Sequence, residues 1–90
     1  MPEFTIVVQH ETGLHARPLA LFVKTAKDYD AEIEVTNLTR GEGPVNGKSP
    51  LKLLTLAVSQ GSEILVRTSG PQETEASEAI RHLIESNFGD

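Results

Sequence analysis

The sequence predicts an α+β domain in which helices cover one face of an antiparallel sheet. Short stretches with alternating apolar residues, typical of half-buried strands, are separated by stretches whose apolar residues recur at helical spacing. The resulting order of elements is β-α-β-β-α-β-α, with one tight hairpin between the second and third strands. Strands interrupted by helices in this way are typical of a sheet that carries its helices on one side. Ninety residues suit one such domain, which we assign to residues 1–90.

Four elements are predicted in the first half of the chain. Residues 3–9 alternate between two faces, as a half-buried strand does. Residues 16–29 change to helical spacing, and the apolar stripe of this helix is expected to pack against the sheet. The stripe consists of Leu19, Phe22, Val23 and Ala26. A second strand over residues 31–37 leads into an irregular hairpin over residues 37–46, in which Pro44 indicates a short edge strand.

The second half of the chain predicts two more helices and one strand. Ser49 and Pro50 indicate a helix start, because a hydroxyl side chain often caps a helix and proline fits its first turn. We expect this short helix to cover residues 51–58 and a fourth strand to cover residues 63–69. The last helix follows Gly70-Pro71. Its apolar stripe consists of Ala76, Ala79, Ile80, Leu83 and Ile84.

The stretch Gly13-Leu14-His15-Ala16-Arg17-Pro18 is the candidate functional site. Pro18 disfavours an α conformation at Arg17, so the regular helix is expected to begin at Arg17 or Pro18, with His15 in the entry turn. The positive end of the helix dipole disfavours a protonated imidazole there, which leaves the ring neutral with a lone pair. A phosphoryl dianion on that ring would be held by the backbone N–H groups of Ala16 and Arg17 and by the Arg17 guanidinium. A single histidine near a turn is usually an ordinary surface residue, and it is the whole stretch that indicates a phosphoryl-accepting nucleophile.

This stretch resembles the active-site signature of HPr, the histidine-containing phosphocarrier family of the sugar phosphotransferase system. The similarity covers nearly the whole chain and continues at Phe22-Val23-Lys24, Ala26-Lys27, Asn46-Gly47-Lys48-Ser49, Lys52-Leu53, Thr55-Leu56 and Gln60-Gly61. The resemblance implies an open-faced two-layer sandwich. Its four-stranded antiparallel sheet would have the order 1-4-2-3, with three helices on one face.

The resemblance also implies a reaction and its partners. His15 would accept a phosphoryl group at Nδ1 from phosphorylated enzyme I, which takes it from phosphoenolpyruvate. His15 would then pass the group to sugar-specific enzyme II components of the A type, while Arg17 stabilises the bound dianion. Such a protein is a phosphoryl carrier, phosphorylated stoichiometrically, rather than an enzyme in the strict sense, and no cofactor is implied. The alternative is a regulatory interaction module of the same fold, and the presence of His15 argues against a purely regulatory relative.

Residues beside this stretch are candidates for partner docking. By family position, Leu51 and Leu54 belong to the docking surface, next to Pro50. The leucines of this short helix cannot all lie on one buried face, so at least one of them is expected to be exposed. Lys24 and Lys27 would add a positive patch that steers an acidic partner toward the site. Scattered solvated charges explain these two lysines equally well.

Ser49 has two interpretations, and the sequence leaves both open. The first is a helix-capping serine without further function. The second follows from the resemblance: in some branches of the family this serine is phosphorylated by a dedicated kinase, and the product binds a transcriptional regulator in carbon catabolite repression. Pro50 stands where the family commonly has an apolar residue other than proline. That difference counts against recognition by such a kinase.

Composition and charge exclude several other classes of function. The net charge of −5 argues against general nucleic-acid binding, which needs a basic face. There is no cysteine, and His10 and His82 have no metal-site spacing relative to His15, so no metal is expected. No apolar run is long enough to span a bilayer, and the first residues lack a signal pattern. We expect a cytoplasmic monomer, since a carrier must present one face to several partners.

Overall fold

The computed structural model describes residues 1–90 and contains the predicted elements in the predicted order. They are β1 (Glu3–Val7), α1 (Ala16–Lys27), β2 (Glu32–Asn37), β3 (Glu42–Asn46), α2 (Pro50–Leu54), β4 (Glu63–Ser69) and α3 (Glu73–Glu85). A single turn of 3₁₀ helix, Asn87–Gly89, follows α3 and was not predicted. None of these helices is long and apolar enough to cross a membrane.

The four strands form one antiparallel sheet in the order β1-β4-β2-β3. The register places Val66 of the central strand β4 opposite Phe4 on one side and Val35 on the other. Val35 in turn lies opposite Val45 of β3. The predicted topology is therefore confirmed. Because β3 is an edge strand, Pro44 removes no hydrogen bond from the interior of the sheet.

The core lies between one face of the sheet and the helices. The predicted stripe of α1 is confirmed, since all four of its residues are buried. In α3 the predicted residues Ala76, Ile80 and Ile84 are buried, while Ala79 and Leu83 remain partly exposed at the margin. Loop residues fill the remaining space, notably Leu14, Leu56, Val58 and Phe88. The loops that carry the site residues are therefore anchored in the core.

The helix α2 is shorter than predicted, ending at Leu54 and not at Val58. The next three backbone N–H groups bond to carbonyls three residues back, as in a tightening turn, and Ala57 has a left-handed φ of 51°. This geometry ends the helix and turns the chain back toward β4. The apolar pattern over residues 51–58 comes from Leu56 and Val58, which are buried from a loop. The first strand and α1 also end two residues earlier than predicted.

Candidate functional site

The loop before α1 is fixed to the core by Gly13 and Leu14. Gly13 has a φ of 66°, and a Cβ atom built on it would lie 2.2 Å from the carbonyl oxygen of Val58. The N–H of Leu14 donates a 3.0 Å hydrogen bond to the same oxygen, and the Leu14 side chain is buried. Only glycine fits so close an approach in a left-handed conformation. The loop is therefore held against the segment that follows α2.

His15 is the N-cap residue of α1, which begins at Ala16, one residue before the earlier of the two predicted starts, Arg17 and Pro18. Its backbone is extended, with φ −136° and ψ 168°, and the next residue, Ala16, has a left-handed φ of 51°. The backbone N–H groups of Ala16 and Arg17 precede the first intrahelical hydrogen bond and donate to no protein acceptor. These two donors stand immediately beside the histidine.

The imidazole of His15 is half-buried and makes one hydrogen bond to the protein. Its Nδ1 lies 2.9 Å from the carbonyl oxygen of Thr12. Because a carbonyl can only accept, Nδ1 carries the proton in this arrangement. The other ring nitrogen, Nε2, has no protein partner.

The Arg17 guanidinium is paired with Asp90, a residue for which no role was predicted. Nη1 of Arg17 donates to Oδ1 of Asp90 at 2.6 Å, and Nε2 of His10 donates to Oδ2 at 2.6 Å. The hydrogen bond from His10 is the main cause that lowers the pKa of Asp90 below its ordinary value; partial desolvation opposes it and the charge of Arg17 adds to it. The carboxylate is therefore held in its charged form next to Arg17.

His10 is buried, although its only role weighed from the sequence was that of a metal ligand, which its spacing excludes. Its Nδ1 accepts from the N–H of Thr12 at 3.2 Å and lies 2.9 Å from the Thr12 hydroxyl. Its ring meets that of Phe88 edge to face, with 5.9 Å between the ring centres. No sequence pattern indicates these contacts, because Phe88 and Asp90 come from the opposite end of the chain. No group of three or more potential metal ligands occurs in the structure.

The predicted docking leucines are exposed. Leu51 is 72% exposed and Leu54 42%, whereas Leu53 of the same helix is fully buried. This confirms that α2 cannot bury all its leucines. Lys24 and Lys27 are exposed on α1, and Lys24 makes only a long 4.0 Å ion pair with Asp28.

Ser49 caps α2, which confirms the structural interpretation of this residue. Its hydroxyl accepts from the N–H of Lys52 at 3.2 Å, and Pro50 occupies the first helical position. Lys48, which the sequence places beside Ser49, directs its ammonium group to the carbonyl of Tyr29 at 3.0 Å.

Comparison with known proteins identifies the family. Residues 2–86 match a family model described as "PTS HPr component phosphorylation site". The chain belongs to the HPr family. It is 40% identical over 84 residues to the phosphocarrier protein HPr of Vibrio cholerae, covering 93% of this chain and 92% of the relative. The crystal structure of HPr-C-His from Thermoanaerobacter tengcongensis superimposes with a TM-score of 0.94 and 43% identity, covering 100% of this chain and 98% of that one.

The HPr family also includes parts of longer proteins. The chain is 36% identical over 88 residues to the multiphosphoryl transfer protein of Haemophilus influenzae; the match covers 98% of this chain but 18% of that relative. The chain therefore spans about a fifth of the length of such relatives. The predicted membership in the HPr phosphocarrier family of the phosphotransferase system is confirmed.

Proposed function

We propose that this chain is a phosphocarrier whose acceptor is His15. It takes a phosphoryl group from phosphorylated enzyme I, originally from phosphoenolpyruvate, and passes it to sugar-specific enzyme II components of the A type. The observation that carries the proposal is the position of His15 at the N-cap of α1, beside the free N–H groups of Ala16 and Arg17. A phosphoryl dianion on this ring would meet backbone donors, the positive end of the helix dipole and the Arg17 guanidinium.

The transfer step forms an N–P bond at His15 as the bond between phosphorus and the donor atom of enzyme I breaks, and that donor atom keeps the bonding electron pair. Attack by Nδ1 needs a lone pair on that atom, so Nδ1 must first lose the proton that it donates to the carbonyl of Thr12. Nε2, which has no protein partner, is the natural recipient of a proton through solvent. The protein's own contribution is then positioning and charge stabilisation, which is what phosphoryl transfer requires.

Docking on these partners would use the exposed apolar residues of α2 and the cations of α1. Leu51 and Leu54 supply apolar area, while Lys24 and Lys27 supply positive charge for an acidic partner surface. A small interface of this kind allows the fast release that a carrier needs. In this proposal the chain works as one domain, as a monomer in the cytoplasm, and without enzymatic turnover of its own.

A second role, regulation through Ser49, remains a separate proposal. The hydroxyl already caps α2, so a phosphate there would lie at a helix N-terminus and would add negative charge to the surface that carries Leu51. Incubation with a serine kinase, followed by peptide mass spectrometry, tests this role. If Ser49 stays unmodified, the regulatory role is refuted and the residue acts only as the cap of α2.

The carrier function is tested by intact mass after incubation with phosphoenolpyruvate and enzyme I. We expect one added phosphoryl group that is lost in mild acid. His15→Ala should remove it, whereas His82→Ala, which changes an exposed histidine on α3, should not. A His15→Ala variant that still passes phosphate to an enzyme II component would contradict the proposal.

The contribution of Arg17 has its own test. Arg17→Lys keeps the positive charge but loses the planar, forked guanidinium. We expect transfer from enzyme I to slow by about ten- to a hundredfold, since a hydrogen bond to a charged group is worth about 1.5–3 kcal/mol. An unchanged rate would exclude a role for the guanidinium geometry.

A further inference from the structure

His10 lies at the centre of a hydrogen-bonded chain that joins the two site residues. From Arg17 the chain passes to Asp90, from Asp90 to His10, from His10 to Thr12, and from the Thr12 carbonyl to Nδ1 of His15. We call these five residues the His10 network. Only His15 and Arg17 belong to the hexapeptide; the other three members lie outside it.

Each ring nitrogen of His10 has its own hydrogen-bond partner in the protein. Nδ1 accepts from the backbone N–H of Thr12, so it carries no proton, and Nε2 must carry the proton that it donates to Asp90. The side chain is only 10% exposed. Turning the ring over would place carbon atoms where both nitrogens now bond, and moving the proton to Nδ1 would set an N–H against the N–H of Thr12. The ring therefore has one orientation that satisfies both sides.

Asp90 reaches His10 because the segment after α3 folds back over the core. Asn87 and Phe88 have left-handed φ values of 56° and 59°, and Phe88 is 1% exposed. The N–H of Asp90 bonds to the carbonyl of Asn87 at 3.1 Å. A buried aromatic anchor thus presents the Asp90 carboxylate to His10 and Arg17 together.

We propose that His10 is a positioning residue for phosphoryl transfer, acting through two separate arms. Through Thr12 it fixes the turn whose carbonyl orients the ring of His15. Through Asp90 it keeps a carboxylate on the guanidinium of Arg17. This inference rests on the proposed carrier function and goes beyond it, since it gives residues outside the hexapeptide a positioning role in the transfer.

The two arms have different consequences for the reaction. The Thr12 arm acts before transfer, because a ring held in one orientation needs less reorganisation to reach the attacking geometry. The Asp90 arm acts on the product, because the phosphoryl dianion on His15 must take Arg17 away from a carboxylate. Losing the first arm should slow transfer, and losing the second should favour the phosphorylated protein.

Two substitutions of His10 separate the arms. In His10→Asn the side-chain oxygen can still accept from the N–H two residues on, as in an Asx turn, but the side chain is too short to reach Asp90. In His10→Gln the amide nitrogen can reach Asp90, while the Asx-type turn is lost. Asp90→Asn removes the carboxylate charge directly, at an exposed position that leaves the core intact. His82→Asn is the matched control, since His82 lies exposed on α3.

Each variant is measured in two ways. Nitrogen-15 NMR of the unphosphorylated protein reports the proton position on His15. Titration with phosphorylated enzyme I reports the rate and the equilibrium of transfer. His10→Asn should keep the wild-type His15 spectrum and shift the equilibrium toward the phosphorylated protein by about two- to fivefold, the range expected for an exposed ion pair. His10→Gln should change the spectrum and slow transfer by about two- to tenfold, the range expected for the loss of one hydrogen bond, with the equilibrium unchanged.

The double variant His10→Asn with Asp90→Asn supplies the deciding comparison. We expect its equilibrium to match that of Asp90→Asn alone, because without the Asp90 carboxylate His10 has no charged group to hold on Arg17. Additive shifts, or identical behaviour of His10→Asn and His10→Gln, would overturn the inference. If the wild-type protein accepted no phosphoryl group, the carrier function would fail instead, and the His15 spectra would still decide whether His10 orients the ring.

Discussion

Replacing Gly13 by alanine should disrupt the site. The same replacement at Gly41, a glycine of similar backbone conformation, should have a much smaller effect. Gly13 and Gly41 have nearly the same φ, 66° and 69°. An added Cβ would lie 2.2 Å from the carbonyl oxygen of Val58 at Gly13, but would meet nothing within 4 Å at Gly41. The two variants therefore share the cost of a left-handed alanine and differ in the contact with Val58.

The magnitude follows from these two contributions. A left-handed alanine costs about 1–2 kcal/mol, partly offset by about 0.4–1 kcal/mol from the stiffer unfolded chain. Gly41→Ala should therefore lower the free energy of unfolding by about 1 kcal/mol. Gly13→Ala adds the displacement of backbone at Val58, which as overpacking costs about 1–3 kcal/mol, for a total of about 2–4 kcal/mol. Each kcal/mol corresponds to about 4–8 °C in Tm for a domain of this size.

Urea unfolding followed by far-ultraviolet circular dichroism measures the difference, since the chain has no tryptophan for fluorescence. Gly13→Ala should also slow phosphorylation of His15, because the loop must move away from Val58 and strain the hydrogen bond of Leu14. Gly41→Ala should leave that rate unchanged. Equal destabilisation by both variants would refute the argument, because the Val58 contact would then have no energetic effect.

Three further predictions concern the cap, the leucines and the pH dependence. Ser49→Ala should lower the free energy of unfolding by about 1 kcal/mol in a urea titration, while Ser49→Asp should retain most of the cap; equal losses would contradict a capping role. Leu53→Ala should cost about 2–5 kcal/mol, whereas the exposed Leu51→Ala should change stability by less than about 0.5 kcal/mol and instead weaken binding to enzyme I in calorimetry. The lowered pKa of Asp90 means that its contribution to stability is complete above the ordinary value of 3.8 and is lost as pH falls through the lowered pKa. Carbon-13 NMR titration should show this pKa rise toward the ordinary value in His10→Ala, and no change there would exclude the His10 hydrogen bond as its cause.

The sequence predicts most of the fold because its elements depend on local periodicity. The stripe of α1 and the alternation of the strands follow from which residues face the core, and that pattern is visible within one element. The end of α2 could not be predicted in the same way. Leu56 and Val58 continue the apolar pattern of the helix, yet both are buried from a turn that tertiary packing imposes. An apolar pattern reports burial, and a short loop can bury leucine as well as a helix can.

The site residues show the same limit: those with a local sequence signal could be predicted, and those brought together by tertiary packing could not. His15 and Arg17 are two residues apart in the sequence, so one motif and one helix start were enough to predict them. His10 and Asp90 are 80 residues apart, and their contact depends on the left-handed turn at Asn87 and Phe88. Asn87 and Gly89 are residues that tolerate such a turn, and Phe88 between them is a possible apolar anchor. Those signals indicate that the segment turns, but they do not indicate which surface it reaches.

The pairing of Arg17 with Asp90 affects how strongly a carrier retains the phosphoryl group and how readily it releases that group. A phosphoryl group held too strongly on His15 could not be passed on, and one held too weakly would be lost to water. In the unphosphorylated protein the guanidinium already has a charged partner, so the gain on phosphorylation is the difference between a dianion and a carboxylate. His10 contributes to that difference, because its hydrogen bond holds the Asp90 carboxylate in place beside Arg17. On the proposed function, the stability of the phosphorylated protein is therefore adjusted from outside the motif, by residues that do not contact the phosphoryl group.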